Sequence, residues 1–306
     1  MAKATSLLLL LLICIGSYAQ QPTVNSGELK RITGFTSSFV APRNVDVWLP
    51  PGYSPKTKYA VLYMHDGQML YDSTVTWNKQ EWGVDETMTN LLKRKKIKNC
   101  IVVGVWNTGV MRHADYFPQK PFLSLPTAQQ DSIYKATRGE GYVLFAAPVQ
   151  SDAYLKFLVT ELKPFIDKNF SVKTDRANTF IAGSSMGGLI SMYAICEYPD
   201  VFGGAACLST HWPGIFETAN NPIPGAFISY LQKHLPDPSS HKIYFDYGTA
   251  GLDSLYKPFQ LQADAVMQVK GYTATNWLSK EFTGEDHSEN AWRRRLSIPL
   301  LFLLKK

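Results

Sequence analysis

The sequence predicts an α/β protein with a mostly parallel central sheet of about eight strands and helices on both faces. Three observations carry that expectation. The chain of 306 residues is 45% apolar and 18% charged, enough to bury an extensive core, which excludes a disordered polymer. Short, β-rich apolar runs recur at 45–49, 59–64, 100–106, 179–182, 204–208, 242–247 and 277–282. Between them, 84–93, 152–169, 186–198, 226–234, 255–269 and 289–303 carry apolar residues at helical spacing. Such alternation is what a mostly parallel sheet covered on both faces requires.

From the N-terminus, the first 19 residues read as an export signal. Lys3 precedes an uncharged apolar run at 7–15, and Ser17-Tyr18-Ala19 puts small residues at the two positions a signal peptidase reads. Cleavage is expected after Ala19, giving a periplasmic or secreted product. The run is well short of the roughly 20 residues that span a bilayer, and no later stretch is long enough, so no membrane insertion is expected after cleavage. A lipid anchor on Cys14 is the weaker reading, because bulky Ile13 stands where a small residue normally precedes a modified cysteine.

Residues 28–49 contain two strand-like runs and no helix, so an antiparallel hairpin is expected to open the sheet. Residues 107–150 then break the rhythm with Gly, Pro, Ser, Thr and scattered aromatics. A segment that long is an excursion over one end of the sheet. It begins at the carboxyl end of a strand, where open α/β sheets bind ligands, and is read as a lid or binding wall. No linker or repeat divides 20–306, which is expected to be one domain, and 296–304 reads as a terminal helix packed on the core.

The formal charge is +6, and losing Lys3 with the signal leaves +5. The basic clusters at 93–98 and 293–295 fall at expected helix ends, where cations complement the macrodipole, and both read as solvated. No nucleic-acid motif accompanies them, so no nucleic-acid partner is expected. Cys100, Cys196 and Cys207 sit at apolar positions and read as buried thiols, with one bridge possible.

The sharpest local signal is Gly183-Ser184-Ser185-Met186-Gly187, followed by Gly188. Serine in GxSxG between a strand and a helix occupies a strained turn that lifts its hydroxyl above the sheet. The flanking strand and helix are both readable here. A serine hydroxyl needs a base, and the base an orienting acid, in the chain order serine, acid, histidine. Among downstream histidines, His234 and His241 read as surface residues. His287 follows the last strand in Gly284-Glu285-Asp286-His287-Ser288, at the same edge as Ser185, and is the candidate base. Asp253, in the loop after 242–247, is the favoured acid. Asp246, inside the strand run, stays open as the alternative, with Asp286 third. The oxyanion would be met by the Met186 N–H and by the Gln68 N–H, from His65-Asp66-Gly67-Gln68-Met69. His65-Asp66 alone does not make a metal site, so no metal is expected.

With these motifs in hand, the chain resembles the putative-esterase branch of the α/β-hydrolases over residues 40–305. The resemblance rests on Tyr63-Met64-His65-Asp66-Gly67-Gln68, Glu81-Trp82-Gly83-Val84-Asp85, Val102-Val103-Gly104-Val105-Trp106-Asn107, Gly183 to Gly188, Tyr247-Gly248-Thr249 with Asp253, and His287 with Trp292. That branch includes enterochelin esterases, secreted feruloyl and acetyl-xylan esterases, S-formylglutathione hydrolases and mycolyltransferases. The resemblance implies the α/β-hydrolase fold and cofactor-free hydrolysis through an acyl-serine. The implied substrates are a siderophore lactone or a feruloyl or acetyl ester of polysaccharide. Acyl transfer to an alcohol and a non-catalytic carbohydrate- or siderophore-binding role are the alternatives. Arg112 and Tyr116 either offer a cation and an aromatic face to substrate or form an ion pair packed by aromatics. Trp106, His211 and Trp212 either line the pocket or fill the sheet edge.

Overall fold

The structure is a computed structural model that describes residues 21–139 and 141–306; the expected signal at 1–19 lies outside them. It opens with β1 (Glu28–Phe35), β2 (Arg43–Leu49) and β3 (Ala60–His65), then α1 (Val84–Lys93) and β4 (Cys100–Val105). The excursion follows, with α2 (Arg112–Tyr116), α3 (Gln119–Leu123), α4 (Thr127–Tyr134) and a small hairpin of β5 (Thr137–Arg138) and β6 (Tyr142–Val143). Next come α5 (Ser151–Phe157), α6 (Lys163–Asn169), β7 (Thr179–Ser184), α7 (Met186–Glu197), β8 (Gly204–Leu208) and α8 (Ile223–His234). The chain closes with β9 (Lys242–Gly248), α9 (Lys257–Val269), β10 (Trp277–Phe282), α10 (Glu289–Arg295) and α11 (Ser297–Leu304).

Eight strands form one sheet in the order β1-β2-β4-β3-β7-β8-β9-β10. As expected, β1 and β2 make an antiparallel pair; β2 also runs antiparallel to β4, and every pairing from β4 to β10 is parallel. The parallel strands therefore bring their carboxyl ends to one edge, and the loops that leave that edge build the site.

The period-two alternation of a strand divides its side chains between two cores. Val61 and Tyr63 join Ile101, Val103 and Ile181 on one face, packed under α5 to α9, whereas Leu62 and Met64 join Val102 and Phe180 on the other, under α1, α10 and α11. Helix α7 is buried from Met186 through Cys196, as a helix that is apolar all round should be. Cys100, Cys196 and Cys207 are buried and free.

Two expected helices are interrupted. The run at 152–169 contains a π-helical turn at Leu158–Leu162, and the C-terminal run divides at Leu296 into α10 and α11. The excursion is ordered by aromatic packing: Phe117 meets Phe122, Phe145 and Phe227 at ring separations of 5.5, 5.2 and 5.2 Å. Among the described residues, no helix is long and apolar enough to cross a membrane.

Candidate active site

Ser185 stands between β7 and α7 with φ 57° and ψ −122°, a conformation that costs a non-glycine residue on the order of 1–3 kcal/mol. The surrounding backbone holds it there. Ser185 N donates to Leu208 O at 2.9 Å, and Ser185 O accepts from Leu189 N at 3.0 Å and His211 N at 3.2 Å. The turn closes so tightly that a Cβ on Gly183 would lie 2.7 Å from the Gly187 carbonyl carbon. Ser185 is thereby presented to a cavity of about 660 Å³ at the carboxyl edge of the sheet.

His287 lines the same cavity, on the loop between β10 and α10. This loop is docked to the end of β9: Thr249 N and Ala250 N both donate to Glu285 O at 3.0 Å. His287 Nδ1 lies 2.5 Å from Asp253 Oδ1, and Asp253 Oδ2 accepts from Gly248 N and Ser209 Oγ, each at 2.6 Å. Burial works to raise the Asp253 pKa. The bond to His287 and the other donors outweigh it, so the carboxyl titrates below its ordinary value. The imidazole is packed edge-on between Tyr256 and Trp292, at ring separations of 5.7 and 5.0 Å.

Of the two aspartates left open by the sequence, Asp253 is the one beside the imidazole. Asp246 pairs with Arg295 at 2.9 Å and accepts from Tyr244 Oη and Ser209 N. Burial pushes its carboxyl above the ordinary value despite the guanidinium. Asp286 accepts from Ser288 Oγ.

The turn after β3 packs against the first turn of α7, where a Cβ on Gly187 would lie 3.3 Å from His65 Cβ. Asp66 adopts the left-handed conformation, φ 56°. Its carboxylate is fixed by Arg112 through bonds of 2.8 and 2.7 Å and by Asn107 Nδ2 at 2.7 Å. Burial opposes ionisation of Asp66, but Arg112 outweighs it and holds the pKa below its ordinary value. Gln68 and Met186 both line the cavity, and neither main-chain amide donates to a main-chain acceptor among the described residues. His65 is buried, with Nδ1 2.9 Å from Tyr154 Oη, and burial lowers its pKa to about 3, so the ring is neutral.

Arg112 and His211 also line the cavity, but three residues read as possible contacts do not. Tyr116 is fully buried beneath the Arg112 guanidinium, 5.3 Å from its ring centroid, so the ion pair packed by aromatics is the arrangement found. Trp106 donates to Asp46 Oδ2 at 2.7 Å under Arg31, and buried Trp212 donates to Gln260 Oε1 at 3.0 Å. Each indole N–H is turned to an internal acceptor. Two further expectations are corrected. Arg295 is buried rather than solvated, because Asp246 compensates its charge. His241 is buried too, with ring nitrogens satisfied by Asp237 O and Pro199 O.

The sequence reading did not single out Tyr256 or Ser209. The Tyr256 hydroxyl lies 2.7 Å from His211 Nδ1, and its ring packs edge-on against His287. Ser209 Oγ accepts from Trp292 Nε1 at 2.9 Å and Arg295 Nη2 at 2.8 Å while donating to Asp253. Neither belongs to a short motif, and only the fold brings them to the site. Among the described residues, no group of three or more His, Cys, Asp or Glu side chains is arranged to hold a metal ion.

The family model described as "Putative esterase" matches residues 36–303. A curated endo-1,4-β-xylanase/feruloyl esterase of Xylanibacter ruminicola is 26% identical over 91% of this chain and 32% of its own length. The chain thus spans about a third of that relative, and 58% and 51% of two uncharacterised Bacillus subtilis proteins it also matches. Among solved structures, a ferulic acid esterase superposes with a TM-score of 0.63 at 20% identity, covering 92% of this chain and 98% of that one. The enterobactin esterase of Shigella flexneri superposes with a TM-score of 0.65 at 16% identity, covering 92% and 60%. These likenesses show the α/β-hydrolase fold.

Proposed function

The chain belongs to the putative esterase family, and from that premise we propose that it is an exported serine esterase that cleaves a phenolic-acid or acetyl ester carried on a polysaccharide. The observation that supports this most is the placement of Ser185, on its strained turn, in one cavity with His287, whose far nitrogen is held by Asp253. Similarity to feruloyl esterases supports the substrate class, and likeness to the enterobactin esterase supports a siderophore lactone as the second reading.

In the proposed reaction, Ser185 Oγ attacks the ester carbonyl carbon while its proton passes to His287 Nε2. Asp253 orients the ring through Nδ1 and stabilises the imidazolium. The tetrahedral oxyanion lies against the Met186 and Gln68 amides. Collapse breaks the acyl–alkoxy bond, His287 gives its proton to the departing alcohol, and an acyl-serine remains. Water then attacks, losing a proton to His287, and the second collapse frees the carboxylic acid and restores the Ser185 hydroxyl. An alcohol in place of water would make the protein a transferase by the same steps.

The test is hydrolysis of methyl ferulate, acetylated xylan and enterobactin, compared as kcat/KM for wild type and Ser185→Ala. The expected result is turnover of the polysaccharide-type esters, reduced on the order of 10⁴-fold or more in the variant. Wild-type turnover in folded Ser185→Ala would overturn the assignment.

A further inference from the structure

Trp77 is 78% exposed, yet it forms part of the wall of the catalytic cavity. An indole left this open to water commonly marks a surface that a ligand covers. Its place relative to the reaction identifies which part of the ligand. If His287 returns its proton to the leaving alkoxide, as proposed above, the alcohol half of the ester must leave past His287.

The Trp77 segment is fastened to that side. Asn78 Nδ2 donates to Glu289 Oε2 at 2.7 Å, and Asn290 N donates to Gln80 Oε1 at 3.2 Å, so both bonds tie residues 78–80 to the start of α10, two residues after His287. The cavity is also lined by the polar side chains of Asn78, Gln80 and Ser288 and by the Glu289 carboxylate. The wall supplied by the excursion and Phe216 has other chemistry. There Arg112 is neutralised by Asp66, and Arg138 lies over the Phe216 ring at 5.6 Å.

We propose that Trp77, with Asn78, Gln80 and Glu289, forms a subsite for the sugar ring that carries the esterified hydroxyl. A sugar presents an apolar C–H face, which fits an open indole, and a rim of hydroxyls, which can both donate to Glu289 and exchange hydrogen bonds with the two amides. A short alkyl alcohol would leave the indole face uncovered. This inference rests on the esterase reading and makes the leaving alcohol, rather than the acid, the half that the protein grips through Trp77.

The experiment compares wild type with Trp77→Ala on methyl ferulate and on a feruloylated arabinoxylan oligosaccharide, two esters sharing one acid. Because Trp77 is exposed, the substitution removes little folded-state packing. The expected result is a loss of about ten-fold or more in kcat/KM on the oligosaccharide ester, chiefly through KM, with methyl ferulate within about two-fold of wild type. Equal losses on both esters, or no loss on the oligosaccharide ester, would overturn the subsite while leaving the esterase reading intact. Failure of the wild type on both esters would instead remove the reading beneath it.

Discussion

Ser209 joins two buried charges that would otherwise be hard to accommodate. Its hydroxyl donates to Asp253 and accepts from Arg295, and Arg295 in turn neutralises Asp246. The two aspartates, seven positions apart, therefore have different work despite equal burial. On the proposed reading, in which Asp253 orients His287, replacing this aspartate with Asn should reduce kcat by about 10⁴-fold while leaving the melting curve near wild type. Replacing Asp246 with Asn should instead destabilise the fold by about 3–5 kcal/mol in urea unfolding, since it leaves Arg295 buried without its counter-charge. The opposite pattern would make Asp246 the acid. At this scale the sequence was legible where a residue announces itself by local spacing, as Ser185 and His287 do. It was illegible for Tyr256 and Ser209, whose places come from contacts with residues 45 and 44 positions away. It left Trp106, Tyr116 and Trp212 open between two places, because an aromatic that lines a cavity and one that packs beneath it have the same composition.

The element that delivers the histidine is a loop pinned to a strand end. Gly248 closes β9, and a Cβ there would lie 2.1 Å from Glu285 O and 3.0 Å from Asp253 Oδ2. Gly248→Ala must therefore push residues 284–287 off the sheet edge. The expected outcome is a fall in kcat/KM of about 10²-fold or more, larger than the accompanying loss of stability would explain, because small displacements of a catalytic group are costly. Wild-type kinetics in this variant would show that the loop finds its position without the docking. Strands and helices were read well from periodicity, since buried parallel strands are short continuous apolar runs. The breaks at Leu158–Leu162 and Leu296 were not, because apolar spacing continues through both and the local change is one of backbone hydrogen bonding.

Across the whole molecule, the eight-stranded sheet gathers residues scattered along the chain onto one edge. Chain order after the serine, together with strand–helix alternation, is enough to foresee that gathering, because right-handed crossovers leave few other arrangements. The cavity's two unlike walls were not foreseeable: one comes from 77–80 and α10, segments more than 200 residues apart, and the other from an excursion with no regular pattern. The most direct test of the account is stoichiometric labelling with a fluorophosphonate, with the adduct mapped by mass spectrometry. The expected result is one equivalent on Ser185, absent from Ser185→Ala and formed at least about 10²-fold more slowly in His287→Ala. An adduct on another residue, or undiminished ester hydrolysis by folded protein whose Ser185 stays unlabelled, would contradict it.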